Sequence, residues 1–241
     1  YPESFFAART WTPRRIMPDA DEFAAAAAAL EAAARPVIIA GGGVLYSGAT
    51  EQLRAFAEDH GVPVMETQAG KSSLPHDHAL NMGSVGVTGS SAANAMAQEA
   101  DVILAIGSRL QDFTTGSWAL FKNDEATLIG LNVQLFDAGK HRALPLVADA
   151  RVGIEALDQA LGDWRADADW TAKAKREKEG WVATAKRYTD PTNAELPSDM
   201  HVIGAVSRAR PNGILVCASG GLPGELHKHW PATKPGSYHL D

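Results

Sequence analysis

Short apolar runs alternate along the chain with segments in which apolar residues recur at helical spacing. Each run is apolar at successive positions, as expected for strands buried on both faces of a parallel sheet. Segments at about 19–35, 49–60 and 90–99 have the apolar stripe of an amphipathic helix. Such alternation predicts an α/β fold built on a doubly wound parallel sheet. The predicted strands are residues 37–40, 62–66, 102–106, 127–132 and 144–148.

The composition changes after the last of these units and predicts how the chain is divided. We expect an irregular lead-in segment at 1–18, a central Rossmann-like α/β domain at 19–165 and a helical linker at 166–197. Residues 198–241 then predict a helix, a strand at 213–218 and a glycine-rich loop. Because one such unit cannot bury a sheet alone, we expect the incomplete start of a second α/β domain. The chain opens on Tyr1, and we expect a fragment of a longer protein.

Charge and composition argue against several classes of function. The chain has 22 Lys and Arg against 29 Asp and Glu, and its basic residues are scattered, so we expect no nucleic-acid partner. No apolar run approaches the roughly 20 residues that span a bilayer, so we expect no membrane partner. The lone Cys217 allows no internal disulfide and predicts a reducing, cytoplasmic setting.

Two glycine motifs are similar to parts of nucleotide-binding loops. Gly41-Gly42-Gly43 follows the first predicted strand, but a dinucleotide fingerprint needs glycine where Tyr46 stands. The motif is therefore either a closely packed turn or a nucleotide site, with Glu66 placed to bind a ribose. Gly70-Lys71-Ser72 matches the end of a phosphate loop, but Met65 replaces the glycine that this loop requires.

The spacing and surroundings of four histidines and of Cys217 indicate structural roles for these residues. His76 and His78 flank one residue, as do His227 and His229, and this spacing does not place two imidazoles on one helix face. Without a third ligand nearby, we interpret them as surface or hydrogen-bonding histidines and expect no metal site. Cys217 lies within a predicted strand, which indicates a core residue and not a nucleophile.

Two loops at the carboxyl ends of predicted strands are candidate ligand sites. Arg109 follows the strand at 102–106, where it either binds an anionic group or forms a structural pair with Asp112. After the strand at 213–218 comes a loop with three glycines, a proline and no large polar side chain, which suits backbone amides approaching a diphosphate. The alternative is an ordinary strand-to-helix loop. The candidate diphosphate-binding residues of this loop are Ser219, Gly220, Gly221, Leu222 and Pro223.

Several of these segments, in this order, resemble the central domain of thiamine-diphosphate-dependent enzymes such as acetolactate synthase. The resemblance rests on 35–44 (RPVIIAGGGV), 86–89 (GVTG), 93–95 (ANA), 100–103 (ADVI) and 106–109 (IGSR). Within that superfamily, 66–75 (ETQAGKSSLP), 218–228 (ASGGLPGELHK) and the terminal Tyr238-His239 are similar to the trihydroxycyclohexanedione hydrolases of myo-inositol catabolism. Together these segments span nearly the whole chain.

The resemblance implies a hydrolase that cleaves a C–C bond and opens a cyclic 1,2-dione to 5-deoxyglucuronate. It implies thiamine diphosphate and Mg²⁺ as cofactors, a homo-oligomer, and a nucleotide in the central domain of some members. By analogy, Ser219 to Pro223 would approach the diphosphate. The family's activating glutamate would precede Tyr1 and its Gly-Asp-Gly metal motif would follow Asp241. We therefore expect no catalytic or metal-binding residue in this chain, and no turnover by it alone.

Two alternative functions are open from the sequence. The first is the central domain of another thiamine-diphosphate enzyme, such as an acetolactate synthase. The second is a self-standing nucleotide-binding module, based on Gly41–Gly43 and Glu66.

Overall fold

A six-stranded parallel sheet forms the centre of the molecule. The computed structural model describes residues 1–12 and 14–240. The strands run in the order β3-β2-β1-β4-β5-β6, and every neighbouring pair is parallel. The predicted doubly wound α/β fold is confirmed. The strands are β1 Pro36–Ala40, β2 Val64–Glu66, β3 Asn81–Ser84, β4 Val102–Ile106, β5 Thr127–Asn132 and β6 Leu144–Val147.

Helices connect and cover these strands. They are α1 Glu3–Phe6, α2 Ala20–Glu31, α3 Gly42–Tyr46, α4 Thr50–His60, α5 Ser91–Glu99, α6 Asp112–Thr115, α7 Leu135–Gly139, α8 Ala150–Leu161, α9 Ala168–Thr189, α10 Asp199–Ala209 and α11 Gly221–His229, and a 3₁₀ turn lies at Lys140–Arg142. No helix in the described part of the chain combines the length and the apolar character needed to cross a membrane.

The five strands predicted from apolar runs are all present, and the sixth, β3, was missed. Its sequence, Asn81-Met82-Gly83-Ser84, offers one large apolar side chain and no continuous run. It pairs only with β2, at the edge of the sheet, and its register shifts between Val64 and Glu66. An irregular edge strand needs fewer apolar residues than an interior one, which explains the omission.

Helix α2 ends four residues earlier than predicted. Its start is fixed by Asp19, whose carboxylate accepts hydrogen bonds from the amides of Asp21 and Glu22. Beyond its end, the amides of Ala34 and Arg35 donate to the carboxylate of Asp101 at 2.9–3.0 Å. These bonds replace helical ones and turn the chain into β1.

The core lies on both faces of the central strands. All five residues of β1 and all five of β4 are buried, and Ile38 and Ile39 are fully inaccessible to solvent. Burial of each such side chain stabilises the fold by about 1.5–3 kcal/mol. Helix α9 extends this core, because Trp170 is buried and its indole N–H donates to the Pro36 carbonyl at 2.9 Å.

A second, smaller sheet follows α9 and α10. Strand β7, Leu215–Cys217, pairs in parallel with β8, Tyr238–Leu240, which the sequence had not predicted. A separate small core packs around these strands and consists of Ile203, Cys217, Trp230, Ala232 and Tyr238. Cys217 is buried and its thiol donates to the Tyr238 hydroxyl at 3.1 Å, which confirms the predicted core role.

The lead-in segment is attached to the sheet domain at Arg15. The Arg15 guanidinium donates to both carboxylate oxygens of Asp149, at 2.8 and 2.9 Å, and to the Ser47 carbonyl at 2.7 Å. Asp149 also begins α8, where its side chain accepts from the amides of Arg151 and Val152. One carboxylate thus links the lead-in segment, the turn after α3 and the start of α8.

Candidate functional site

A cavity of about 610 Å³ lies at the carboxyl edge of the six-stranded sheet. From β1 the chain continues to β2 on one side of the sheet, and from β4 it continues to β5 on the other side, so the strand order reverses between β1 and β4. Open α/β sheets bind ligands at such a position. Loops after β1, β2, β4 and β5 line it, through residues that include Gly42, Gly43, Thr67, Gln68, Gly107, Arg109 and Asn132. We call this cavity the central crevice.

The glycine cluster after β1 serves close packing between two loops. A Cβ atom on Gly41 would lie 2.3 Å from the Gly107 carbonyl oxygen, and one on Gly43 would lie 2.6 Å from the Gly107 Cα. Their amides are engaged inside the chain, since Gly41 donates to Ile106 at 2.8 Å and Gly43 donates to Gly107 at 3.1 Å. Of the two interpretations left open above, the structure supports the closely packed turn.

Glu66 does not lie in the central crevice. Its neighbours Thr67, Gln68 and Ala69 line the crevice, but its own side chain is buried elsewhere and accepts from the Leu74 amide at 3.1 Å. Burial raises the pKa of this carboxyl group. The ribose-binding role considered for Glu66 is therefore wrong.

Gly70 and Lys71 also have roles other than phosphate binding in a nucleotide loop. A Cβ atom on Gly70 would lie 2.0 Å from the Ala40 carbonyl oxygen, so only glycine fits beside the end of β1. Lys71 is buried and lines a different cavity. Both residues are thus placed by packing within the chain, Gly70 against β1 and Lys71 in the wall of the other cavity.

Arg109 is exposed and lines the central crevice, as predicted from its position after β4. Asp112 begins α6 and is not among the crevice residues. The two described side chains form no ion pair, so the structural Arg–Asp pair considered above is absent. Among the described residues, Arg109 has no carboxylate partner, and its position beside the crevice suits an anionic group there.

His227 reaches the central crevice from α11, a placement that the sequence could not show. Its ring is buried, and its Nδ1 shares a hydrogen bond of 2.8 Å with the Thr88 hydroxyl. The Ser84 hydroxyl donates to the His227 carbonyl, which fixes α11 against β3. No group of three potential metal ligands occurs in the described residues. The hydrogen-bonding interpretation holds for His227, while its buried position was not foreseen.

Acidification should destabilise the protein through His227. Burial lowers its pKa from 6.5 to about 3, so between these values the unfolded chain binds a proton that the folded chain does not. The free energy of unfolding therefore falls as the pH drops below about 6.5, by about 3 kcal/mol at about pH 4.5 from this residue alone. Urea unfolding at about pH 8 and 4.5 should show that His227→Gln loses less stability than the wild type. Equal losses in both proteins would contradict this assignment.

Of the candidate residues Ser219 to Pro223, Ser219 and Gly220 lie between β7 and α11, and Gly221 to Pro223 form the first turn of α11, not a loop as predicted. The first four of these five residues are exposed, and Gly220 has φ +143°, a conformation that other residues rarely adopt. A Cβ atom on Gly221 would meet nothing within 4 Å, so packing does not explain this glycine. The amides of Gly221 and Leu222 open a nine-residue helix and donate to no described backbone carbonyl. These amides fit an anion, although the cofactor role stays a prediction.

Comparison with known proteins identifies the family. Residues 23–157 match the model of the thiamine pyrophosphate enzyme central domain. The match covers more than half of the chain, and the chain belongs to this family.

Among curated proteins, this chain is similar to 3D-(3,5/4)-trihydroxycyclohexane-1,2-dione hydrolases. It is 34% identical over 267 aligned positions to those of Bacillus cereus strain AH820 and Bacillus anthracis, and 34% identical over 266 positions to that of Clostridium tetani. Each alignment covers 100% of this chain and 41% of the relative. The chain thus spans less than half the length of these relatives.

Proposed function

We propose that this chain is part of a thiamine-diphosphate-dependent hydrolase that opens the ring of a cyclic 1,2-dione to give 5-deoxyglucuronate. The observation that carries this proposal is the 34% identity to dione hydrolases over the whole chain, including the segment after α9 that lies outside the family match. An acetolactate synthase-like activity remains the alternative within the family. We also propose that the division into 19–165, 166–197 and 198–241 corresponds to domain, linker and second domain.

The segment from Ser219 to Pro223 is proposed to hold the diphosphate of the cofactor. Its support is the pair of amides on Gly221 and Leu222 at the start of α11, together with the open space beside Gly221. When bound, thiamine diphosphate supplies an electron sink for the carbanion left by C–C cleavage. Within the described residues the chain's own contribution is to bind and orient this group.

The Mg²⁺ ion and the catalytic groups are proposed to come from other parts of a full-length enzyme. The described residues include no cluster of three His, Cys, Asp or Glu side chains, so they offer no complete metal site. We further propose a homo-oligomer, as is typical of the family, and a cytoplasmic location, which the single Cys217 supports.

A nucleotide in the central crevice is a second candidate. The crevice has about 610 Å³, within the range of cofactor sites, and Arg109 lines it without an ion-pair partner in the described part of the chain. The engaged amides of Gly41 and Gly43 argue against phosphate binding by that turn. Titration with ADP, FAD and NAD distinguishes a nucleotide site from an empty crevice.

Turnover by the full-length protein tests the proposed function. The protein freed of thiamine diphosphate and Mg²⁺ should not open the dione, and adding both should restore 5-deoxyglucuronate formation, followed by mass spectrometry. This chain alone, given the same cofactors, should give no product. Product formation without thiamine diphosphate, or formation of acetolactate from pyruvate instead, would count against the assignment.

A further inference from the structure

Another cavity, of about 180 Å³, has five basic side chains among its fifteen described lining residues. It lies between the segment after β2, helix α9 and helix α11, and it shares no lining residue with the central crevice. We call it the basic cavity. Glu66 is the carboxylate among its described lining residues, and the basic residues are Lys71, His76, Lys178, Lys228 and His229.

Lys71 contributes a buried ammonium group to the basic cavity. The side chain is 4% exposed, and its ammonium lies 5.7 Å from the centroid of the Tyr238 ring. No carboxylate of the described residues lies within 4.0 Å of the Lys71 ammonium, and no described side-chain hydrogen bond includes this ammonium. Burial lowers the pKa of Lys71, an effect opposed by the Glu66 carboxylate. A buried ammonium without an acceptor is costly, and an acceptor from a ligand would relieve that cost.

His229 supplies an unpartnered ring nitrogen in the same wall. Its side chain is 2% exposed, and its Nδ1 has no hydrogen-bond partner. The Nε2 atom lies 3.3 Å from Glu225, and the ring packs against Trp181 with centroids 5.3 Å apart. His76 presents a second buried Nδ1 atom without a partner. Buried polar atoms of this kind are normally satisfied, so they point to a missing ligand.

Lys178 and Lys228 complete the positive surroundings. Lys178 donates to the carbonyls of His76 and Asn81, so its charge is fixed at the cavity wall. Lys228 is 24% exposed and lies 3.7 Å from Glu225. Among the lining residues of the cavity, three lysines stand against one carboxylate, that of Glu66. Burial raises the pKa of Glu66, an effect opposed by the nearby Lys71.

We infer that the basic cavity binds a small oxyanion of phosphate size, held by Lys71, Lys228 and a protonated His229. In that form the Nε2–H of His229 faces Glu225 and its Nδ1–H donates to the anion. The volume of about 180 Å³ equals that of about six water molecules at roughly 30 Å³ each, which admits phosphate or a phosphoryl group. Lysine ammonium groups are established phosphate ligands. Because the ligands come from the segment after β2 and from α11, the bound anion ties the small second sheet to the central sheet.

Thermal unfolding of the full chain tests this site. Sodium phosphate should raise the unfolding midpoint in a saturable way, and sodium chloride at equal ionic strength should not. Lys228→Gln, at the partly exposed rim, should weaken the apparent phosphate affinity at least tenfold, and Lys71→Met should abolish the saturable response. A parallel titration with glycerol 3-phosphate separates the free ion from the phosphoryl group of a larger metabolite.

The control is Lys173→Gln, on helix α9 with the cavity residue Lys178 but outside the basic cavity, where Lys173 pairs with Glu99. It should respond to phosphate as the wild type does. Because Lys71→Met removes a buried residue, Lys228→Gln and His229→Gln carry the test if that variant does not fold. Equal midpoints in phosphate and chloride would overturn the inference. So would a saturable phosphate effect that Lys228→Gln and His229→Gln leave unchanged.

Discussion

Gly70→Ala is expected to destabilise the fold by about 4 kcal/mol, at the upper end for a single substitution. The added Cβ would lie 2.0 Å from the Ala40 carbonyl oxygen and 2.9 Å from the Gly41 Cα. Both are backbone atoms at the end of β1, the strand held between β2 and β4, so neither can move without disturbing the sheet. The cost approaches the whole stability of a typical domain, and we expect low yield and a strongly lowered unfolding midpoint.

The matched control for this substitution is Gly180→Ala. Gly180 is exposed in the middle of α9, and a Cβ atom there meets nothing within 4 Å. Alanine should stabilise that helix by about 0.5–1 kcal/mol because it restricts the unfolded chain. Urea unfolding followed by circular dichroism measures both variants. If Gly70→Ala unfolded at the same urea concentration as the wild type, the close approach of this turn to β1 would be wrong.

Asp149→Ala is expected to destabilise the fold by about 3 kcal/mol. The substitution removes the N-cap of α8, worth about 1 kcal/mol, and leaves the buried Ser47 hydroxyl without its acceptor. Arg15 loses its carboxylate partner and keeps only the Ser47 carbonyl. The Asp149 carboxylate is only 8% exposed, so solvent screens this interaction less than at the surface.

Asp167→Ala separates the capping contribution of Asp149 from the contribution of its bonds to Arg15 and Ser47. Asp167 caps α9 through the amide of Asp169 but lies at the exposed surface and forms no described ion pair. Its replacement should cost about 1 kcal/mol, the capping term alone. Denaturant unfolding of both variants gives the difference. Equal losses for Asp149→Ala and Asp167→Ala would show that Arg15 contributes nothing to stability.

The parts of the fold that sequence predicts well are those fixed by continuous burial. Strands β1 and β4 are apolar at almost every position because both faces of each strand are covered. Both strands could therefore be predicted from their apolar runs alone. Strand β3 lies at the sheet edge with polar residues, and no local pattern identified it. Strand β8 is three residues long and pairs with β7 across an intervening helix, which local periodicity does not reveal.

The candidate sites depend on contacts distant in sequence, and there prediction was weaker. Glu66 ends β2 next to crevice residues, but its own side chain lies outside the crevice, in the basic cavity. His227 meets Thr88 across 139 positions of chain, so its place beside the central crevice had no local signal. Arg109 was placed correctly, because the carboxyl ends of parallel strands meet at one edge of the sheet.

The most direct test of the proposed cofactor role is the affinity of the full-length protein for thiamine diphosphate with Mg²⁺, measured by calorimetry. Gly220→Val forces a branched side chain onto φ +143° in the exposed loop after β7, so the amides of Gly221 and Leu222 should move. We predict at least tenfold weaker binding by Gly220→Val and wild-type affinity for Gly180→Ala. Undiminished affinity in Gly220→Val would mean that this loop does not hold the diphosphate.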